Sequence, residues 1–128
     1  NGGTRYSAHL LHEVREYDGT VVFTREPEIV DTVDLDAKAV STVKYAMKDV
    51  TENGSAARLF VNYPIIIGGK TGTAQVSANS TLPDNALFSG FAPYDNPQIV
   101  GSCILEAGEA GANASKVVAS VFEQYFAE

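Results

Sequence analysis

The sequence predicts an α+β fold, an antiparallel sheet packed by helices. Three observations carry this. Three β-prone runs crowd the second half of the chain and are joined by short turns. Two segments, residues 36–52 and 113–126, repeat apolar residues at the spacing of one helix face. An Asp-Gly pair near the start suits a tight hairpin turn.

The elements follow in order. "HLLHEVREYDGTVVFTRE" reads as a hairpin, with two β-prone runs flanking Asp18-Gly19. "EPEIVDTVDL" is acidic and extended, and Pro27 excludes helix around it. From Asp36 to about Glu52 the pattern is helical, with Val40, Val43, Met47 and Val50 on one face. Asp34 or Asp36 can cap its start and Gly54 can end it. "SAARLFVNYP" reads as a connection. Ile65–Val76 reads as a strand, because its first residues are β-branched and Pro64 bounds it. "SANSTLPDN" is a polar loop. "ALFSGFAPY" and "PQIVGSCILEAG" are strands joined by the turn "YDNP". Cys103, in the second of these, is expected to be buried as a small hydrophobe without a catalytic role. Asn113 then caps a helix ending near Phe126, with Val117, Val118, Val121, Phe122 and Tyr125 as its apolar stripe.

Bulk properties narrow the function. The 128 residues, 45% of them hydrophobic, allow one domain or part of one. A net charge of −7 weighs against nonspecific nucleic-acid binding. One cysteine excludes an internal disulfide, and the chain has no Cys/His cluster of zinc spacing. His9 and His12 read as surface or hairpin residues, so neither a metal nor a cofactor is called for. No apolar run approaches the roughly 20 residues of a membrane helix. The chain opens at Asn1 and its one methionine is Met47, so it reads as a piece of something longer.

"IIIGGKTGTAQV" is the stretch that carries chemistry. It is not a Walker phosphate loop. The glycine that such a loop needs ahead of Gly69 is replaced by Pro64, and "TAQVSANSTLPDN" will not start a helix. A plain edge strand can carry one lysine. Yet two glycines beside it weaken a strand and mark the close approach of another backbone. Lys70, Thr71 and Thr73 gather an ammonium and two hydroxyls in four residues, which suits an anion on an extended peptide. The residues alone leave both a plain strand and a substrate-lining strand open.

Lys70-Thr71-Gly72-Thr73-Ala74-Gln75 resembles the KTG box of penicillin-binding proteins, the D,D-transpeptidases that crosslink peptidoglycan. "NGGTRY", "VTENGSA", "ALFSGFAPYDNPQIV" and the C-terminal helix resemble the class B, monofunctional members, in order along nearly the whole chain. The resemblance implies part of a penicillin-binding/β-lactamase-like transpeptidase fold. It gives Lys70 a catalytic role, supplying positive charge and supporting proton transfer. It gives the Thr71 and Thr73 hydroxyls the carboxylate of a stem peptide ending in D-Ala-D-Ala, or of a β-lactam mimicking it. It makes the Thr73 backbone N–H one of two oxyanion donors, and Gly72 leaves room for the acyl donor. The family's nucleophile is the serine of a Ser-x-x-Lys motif, and a Ser-x-Asn motif completes the cleft. Both lie upstream of the KTG strand.

Two matches inside the chain are decoys. "STVK", Ser41 to Lys44, lies about five residues inside a helix, where the serine N–H is already bonded. At about 100° per residue, Ser41, Lys44 and Lys48 fall opposite Val40, Val43 and Met47, on an expected solvated face. "SAN", Ser77 to Asn79, follows the KTG strand instead of preceding it. Residues 1–128 are therefore expected to be the C-terminal part of a single transpeptidase domain, carrying the strand without the nucleophile and inactive alone. The resemblance places the parent on the extracytoplasmic face of a bacterial membrane, held by an anchor outside these residues. It implies stem peptide and β-lactam partners and no nucleic acid. It also leaves the strand near Ile99–Leu105 without its family pairing partner, so self-association is expected. Two other readings stand beside this one. A serine β-lactamase or β-lactam sensor shares the strand, although "GTAQ" and "GFAPYDNP" favour the transpeptidase. A non-catalytic module would use the sheet edge to bind peptide.

Overall fold

The computed structural model describes residues 2–77 and 81–127. The chain forms two compact units, Asn1–Val40 and Ser41–Glu128.

In the first unit, β1 (Thr4–Tyr6) pairs antiparallel with β4 (Ile29–Thr32), and β2 (Glu13–Arg15) with β3 (Val21–Thr24). The second pair is the expected hairpin. Gly19 takes a φ of 90°, and the Asp18 carboxylate accepts the Thr20 N–H at 2.9 Å. That bond holds the Asp18 carboxyl below its ordinary pKa. The β1–β4 pair has no local signal, because its strands are far apart in sequence. It depends on Gly3, at φ 94°, where a Cβ would lie 2.1 Å from the Val33 carbonyl oxygen.

Helix α1 (Ala37–Glu52) starts at the predicted cap, with the Ala39 N–H donating to Asp36 Oδ1 at 2.8 Å. It ends where Asn53 and Gly54 both donate to the Asp49 carbonyl at 2.8 Å. Its inward face differs from the expected one. Met47 and Val50 are partly buried, but Val43 is 60% exposed. Lys44 and Lys48 turn inward instead of forming a solvated face. Lys44 Nζ lies 5.8 Å from the Phe91 ring centre and 5.3 Å from that of Tyr94. Lys48 Nζ lies 5.6 Å from Tyr94 and 3.4 Å from Glu52. Long apolar stems cover the rings while the ammonium groups sit over their electron-rich faces.

A short helix, α2 (Ala57–Phe60), occupies the stretch that reads as a connection. It delivers Phe60 onto Phe88, ring centres 6.0 Å apart, and edge-on to Tyr63 at 5.4 Å. The Tyr63 hydroxyl donates to the Ala119 carbonyl at 3.0 Å. Burial first, then Glu123, push its phenol above the ordinary 10.0.

The sheet of this unit runs β5 (Gly68–Ala74), β6 (Asn85–Ala92) and β7 (Ile99–Leu105), adjacent in that order and antiparallel. The first strand begins later than its β-branched residues suggest. The Ile67 carbonyl accepts from the Thr51 hydroxyl at 2.5 Å, and the Ile66 carbonyl accepts the Tyr94 N–H at 2.8 Å. These groups serve a helix and a turn, so no ladder forms there. Within the sheet, Lys70 stands opposite Ser89, and Ser89 opposite Ser102, with the two serine oxygens 2.7 Å apart. Val100 and Ile104 flank this polar row and are 76% and 64% exposed.

Helix α3 (Gly111–Phe126) covers the other face. Ala114, Ser115, Val118, Ala119 and Phe122 are buried with Ala86, Phe88 and Ala92 of the sheet. The predicted stripe is half right, since Val117, Val121 and Tyr125 stay about half exposed. The glycines and alanines of the sheet admit the small-residue face, and a Cβ on Gly101 would lie 2.7 Å from Val118 Cγ1. Asn113 does not cap the helix. Ala110 is the cap residue, and Asn113 Nδ2 donates back to the Gly108 carbonyl at 2.9 Å. Cys103 is half-buried at the margin of the core rather than fully enclosed.

Two stability outcomes follow from this packing. Phe122→Ala should cost about 3–5 kcal/mol, and Val121→Ala less than about 1 kcal/mol, by urea denaturation. Because the Tyr63 pKa is raised in the folded state, its contribution is intact at neutral pH. It declines once the unfolded phenol begins to ionise near 10.0. Tyr63→Phe should therefore flatten the alkaline fall in melting temperature.

Candidate active site

Strand β5 has β6 on one side and an open edge in this sheet on the other. Strand alternation puts Gly68, Lys70, Gly72 and Ala74 on the face away from α3, and Gly69, Thr71 and Thr73 on the α3 face. Lys70 is exposed, and its ammonium donates to the Thr71 carbonyl. Thr71 is half-buried, with Oγ1 2.6 Å from Ser55 Oγ. Thr73 is exposed. All four residues singled out from sequence thus lie on one regular strand. Their side chains do not share a face. An oxyanion reaches both the ammonium and the hydroxyls only by lying along the strand edge.

Two backbone contacts fix the strand. Where a Cβ on Gly111 would sit, the Gly72 carbonyl oxygen is 2.7 Å away and the Gly72 nitrogen 2.9 Å away. The start of α3 therefore rests on the β5 backbone itself. At the other end, Thr51, only 2% exposed, ties α1 to the entry of β5 through the Ile67 carbonyl. Sequence reasoning missed Thr51 and Ser55. Ser55 had one available signal, its place just past the helix-ending Gly54.

Ser41 is the fifth residue of α1, inside the helix, and Lys44 is turned to the aromatic rings. Ser77 is exposed, while Ala78 and Asn79 lie outside the described residues. Among the described residues no group of His, Cys, Asp and Glu side chains could hold a metal. His9 Nδ1 lies 3.1 Å from the Ser7 carbonyl oxygen.

Chemically, an ammonium and hydroxyl donors on an open strand edge suit a carboxylate at the end of an extended peptide. Fold and site together present an open sheet edge that carries an ammonium and hydroxyl donors. Residues 1–127 match the family described as penicillin binding protein transpeptidase domain, and the chain belongs to that family. It is 36% identical over 125 residues to the peptidoglycan D,D-transpeptidase MrdA of Escherichia coli K12, covering 87% of this chain and 20% of that protein. It is 31% identical over 117 residues to penicillin-binding protein 2A of Bacillus subtilis 168, covering 82% and 16%. The crystal structure of Pseudomonas aeruginosa PBP2 in complex with WCK 5153 is similar at 34% identity and a TM-score of 0.69, over 89% of this chain and 26% of that one. The chain spans about a fifth of the length of the curated relatives it matches.

Gly111→Ala should displace the strand, since its Cβ would meet backbone that cannot rotate away. The expected cost is about 1–3 kcal/mol, read as a lowered midpoint in thermal or urea unfolding.

Proposed function

We propose that residues 1–128 form the C-terminal part of a single transpeptidase domain and supply one wall of its active site. The parent activity in this reading is D,D-transpeptidation, which crosslinks peptidoglycan stem peptides by serine acyl transfer and binds β-lactams. The observation that carries it is Lys70-Thr71-Gly72-Thr73 on a regular edge strand held by α3, in a chain of this family.

The mechanism assigns each group a task. The donor peptide lies extended along the β5 edge, and Gly72 offers it no side chain. The Thr71 and Thr73 hydroxyls and the Lys70 charge hold its terminal carboxylate. A serine from outside these residues attacks the D-Ala-D-Ala carbonyl carbon while a base takes its proton. The Thr73 N–H is one donor to the resulting oxyanion. The C–N bond then breaks, terminal D-Ala leaves as the protonated amine, and an acceptor amine later resolves the acyl-enzyme. Activity on peptidoglycan puts the site on the extracytoplasmic face of the bacterial membrane.

Intact-mass spectrometry with excess penicillin tests the reading. The full-length protein should form one stable adduct, and Lys70→Ala should slow its formation by at least about 10²-fold. The isolated chain should form none, and an adduct mapped to Ser41 would overturn this account. Fast turnover by the full-length protein would mean a β-lactamase, and peptide binding without acylation would mean a non-catalytic module. The isolated chain should also associate through the β7 edge as concentration rises, measurable by light scattering.

A further inference from the structure

We infer that Ser55 is a positioning residue that aims the Thr71 hydroxyl at the substrate carboxylate. The inference rests on the strand reading proposed above. Ser55 stands between α1 and α2, and its Oγ is 2.6 Å from Thr71 Oγ1. Each hydroxyl carries one proton and accepts through its lone pairs. Two arrangements fit that distance. If Thr71 donates to Ser55, its proton is committed and its lone pairs meet the incoming anion. If Ser55 donates to Thr71, the threonine proton is free for the anion and is polarised by the bond it accepts. A carboxylate beside the strand selects the second arrangement. The result is a directed chain, Ser55 O–H to Thr71 O–H to carboxylate. The bond also restricts which rotamer Thr71 occupies before substrate arrives.

The loop bearing Ser55 is anchored on both sides. Gly54 donates to the Asp49 carbonyl at 2.8 Å, and Ala56, 1% exposed, donates to the Val50 carbonyl at 3.1 Å. Ser55 itself is exposed, so its hydroxyl supports no packing. Removing it strands no buried polar group. A loss of function on removal would therefore report the hydroxyl chain and not the fold.

The test uses the full-length protein and two substrates, penicillin G and its methyl ester. The ester lacks the charged carboxylate and keeps the reacting carbonyl. Ser55→Ala should lower the second-order acylation rate for the free acid about five- to tenfold, the scale of one hydrogen bond, and leave the ester within about twofold. Ser55→Thr should restore the acid rate, and the melting temperature of both variants should match the parent. An acid-to-ester ratio unchanged by Ser55→Ala would overturn the positioning role. Lys70→Ala separates the two claims. If it does not slow acylation, the strand reading fails. If it does while the Ser55→Ala ratio is unchanged, the strand reading stands and the Ser55 role falls.

Discussion

Everything in the larger unit depends on how closely α3 approaches the sheet at Gly111. A single Cβ there would come within 2.7 Å of the Gly72 carbonyl oxygen and 2.8 Å of the Leu87 carbonyl oxygen. Helix backbone thus lies directly on strand backbone. Such an approach forces small residues along the helix, and Ala114, Ser115 and Ala119 supply them. Ser115 returns its hydroxyl to the Ala112 carbonyl at 2.7 Å, so the small polar residue adds no unpaired group. Larger contacts concentrate where the sheet leaves room. Phe122 and Val118 fill the space above Gly101. A dense interface of this kind transmits displacement rather than absorbing it.

Strand β5 inherits its rigidity from that interface. Its Lys70 and Thr73 side chains are exposed and Thr71 is half-buried, but its backbone is held by the sheet ladder to β6, by α3 beneath Gly72 and by Thr51 at its entrance. Exposed donors on a fixed backbone are the arrangement that electrostatic recognition needs. Their geometry is set before the ligand arrives, so less ordering remains to be done on binding.

Much of this was readable from sequence wherever the signal was local. The Asp18-Gly19 turn, the Asp36 cap and the strand around Lys70 each follow from a few adjacent residues. The misreadings have a common physical origin in tertiary partners. Val43 and Lys44 exchanged expected roles because the rings of Phe91 and Tyr94 accept a cation better than a valine methyl. Asn113 fits a cap by residue type, but the Gly108 carbonyl claimed its amide. The isoleucines at 65–67 have strand propensity, yet two of their carbonyls were already committed elsewhere. In the site, the KTG residues were visible because the motif is contiguous. Ser55 offered only its place after Gly54 as a signal, because its bond to Thr71 forms only when residues 55 and 71 meet in space.

On the face of β5 away from α3, large and absent side chains alternate across the strand pair. Phe91 lies opposite Gly68 and Leu87 opposite Gly72. A Cβ on Gly68 would lie 2.3 Å from the Phe91 ring, and one on Gly72 would lie 3.3 Å from Leu87 Cβ. The neighbouring strand therefore fills the space that β5 leaves vacant. Apart from the Ala74 methyl, this side of β5 is a smooth floor from which one long side chain, the Lys70 ammonium, rises. That ammonium is the one charge β5 itself raises on this face, beside the Lys44 ammonium that α1 brings over the Phe91 ring. A side chain added at Gly68 or Gly72 would have to displace Phe91 or Leu87 before it could share that floor.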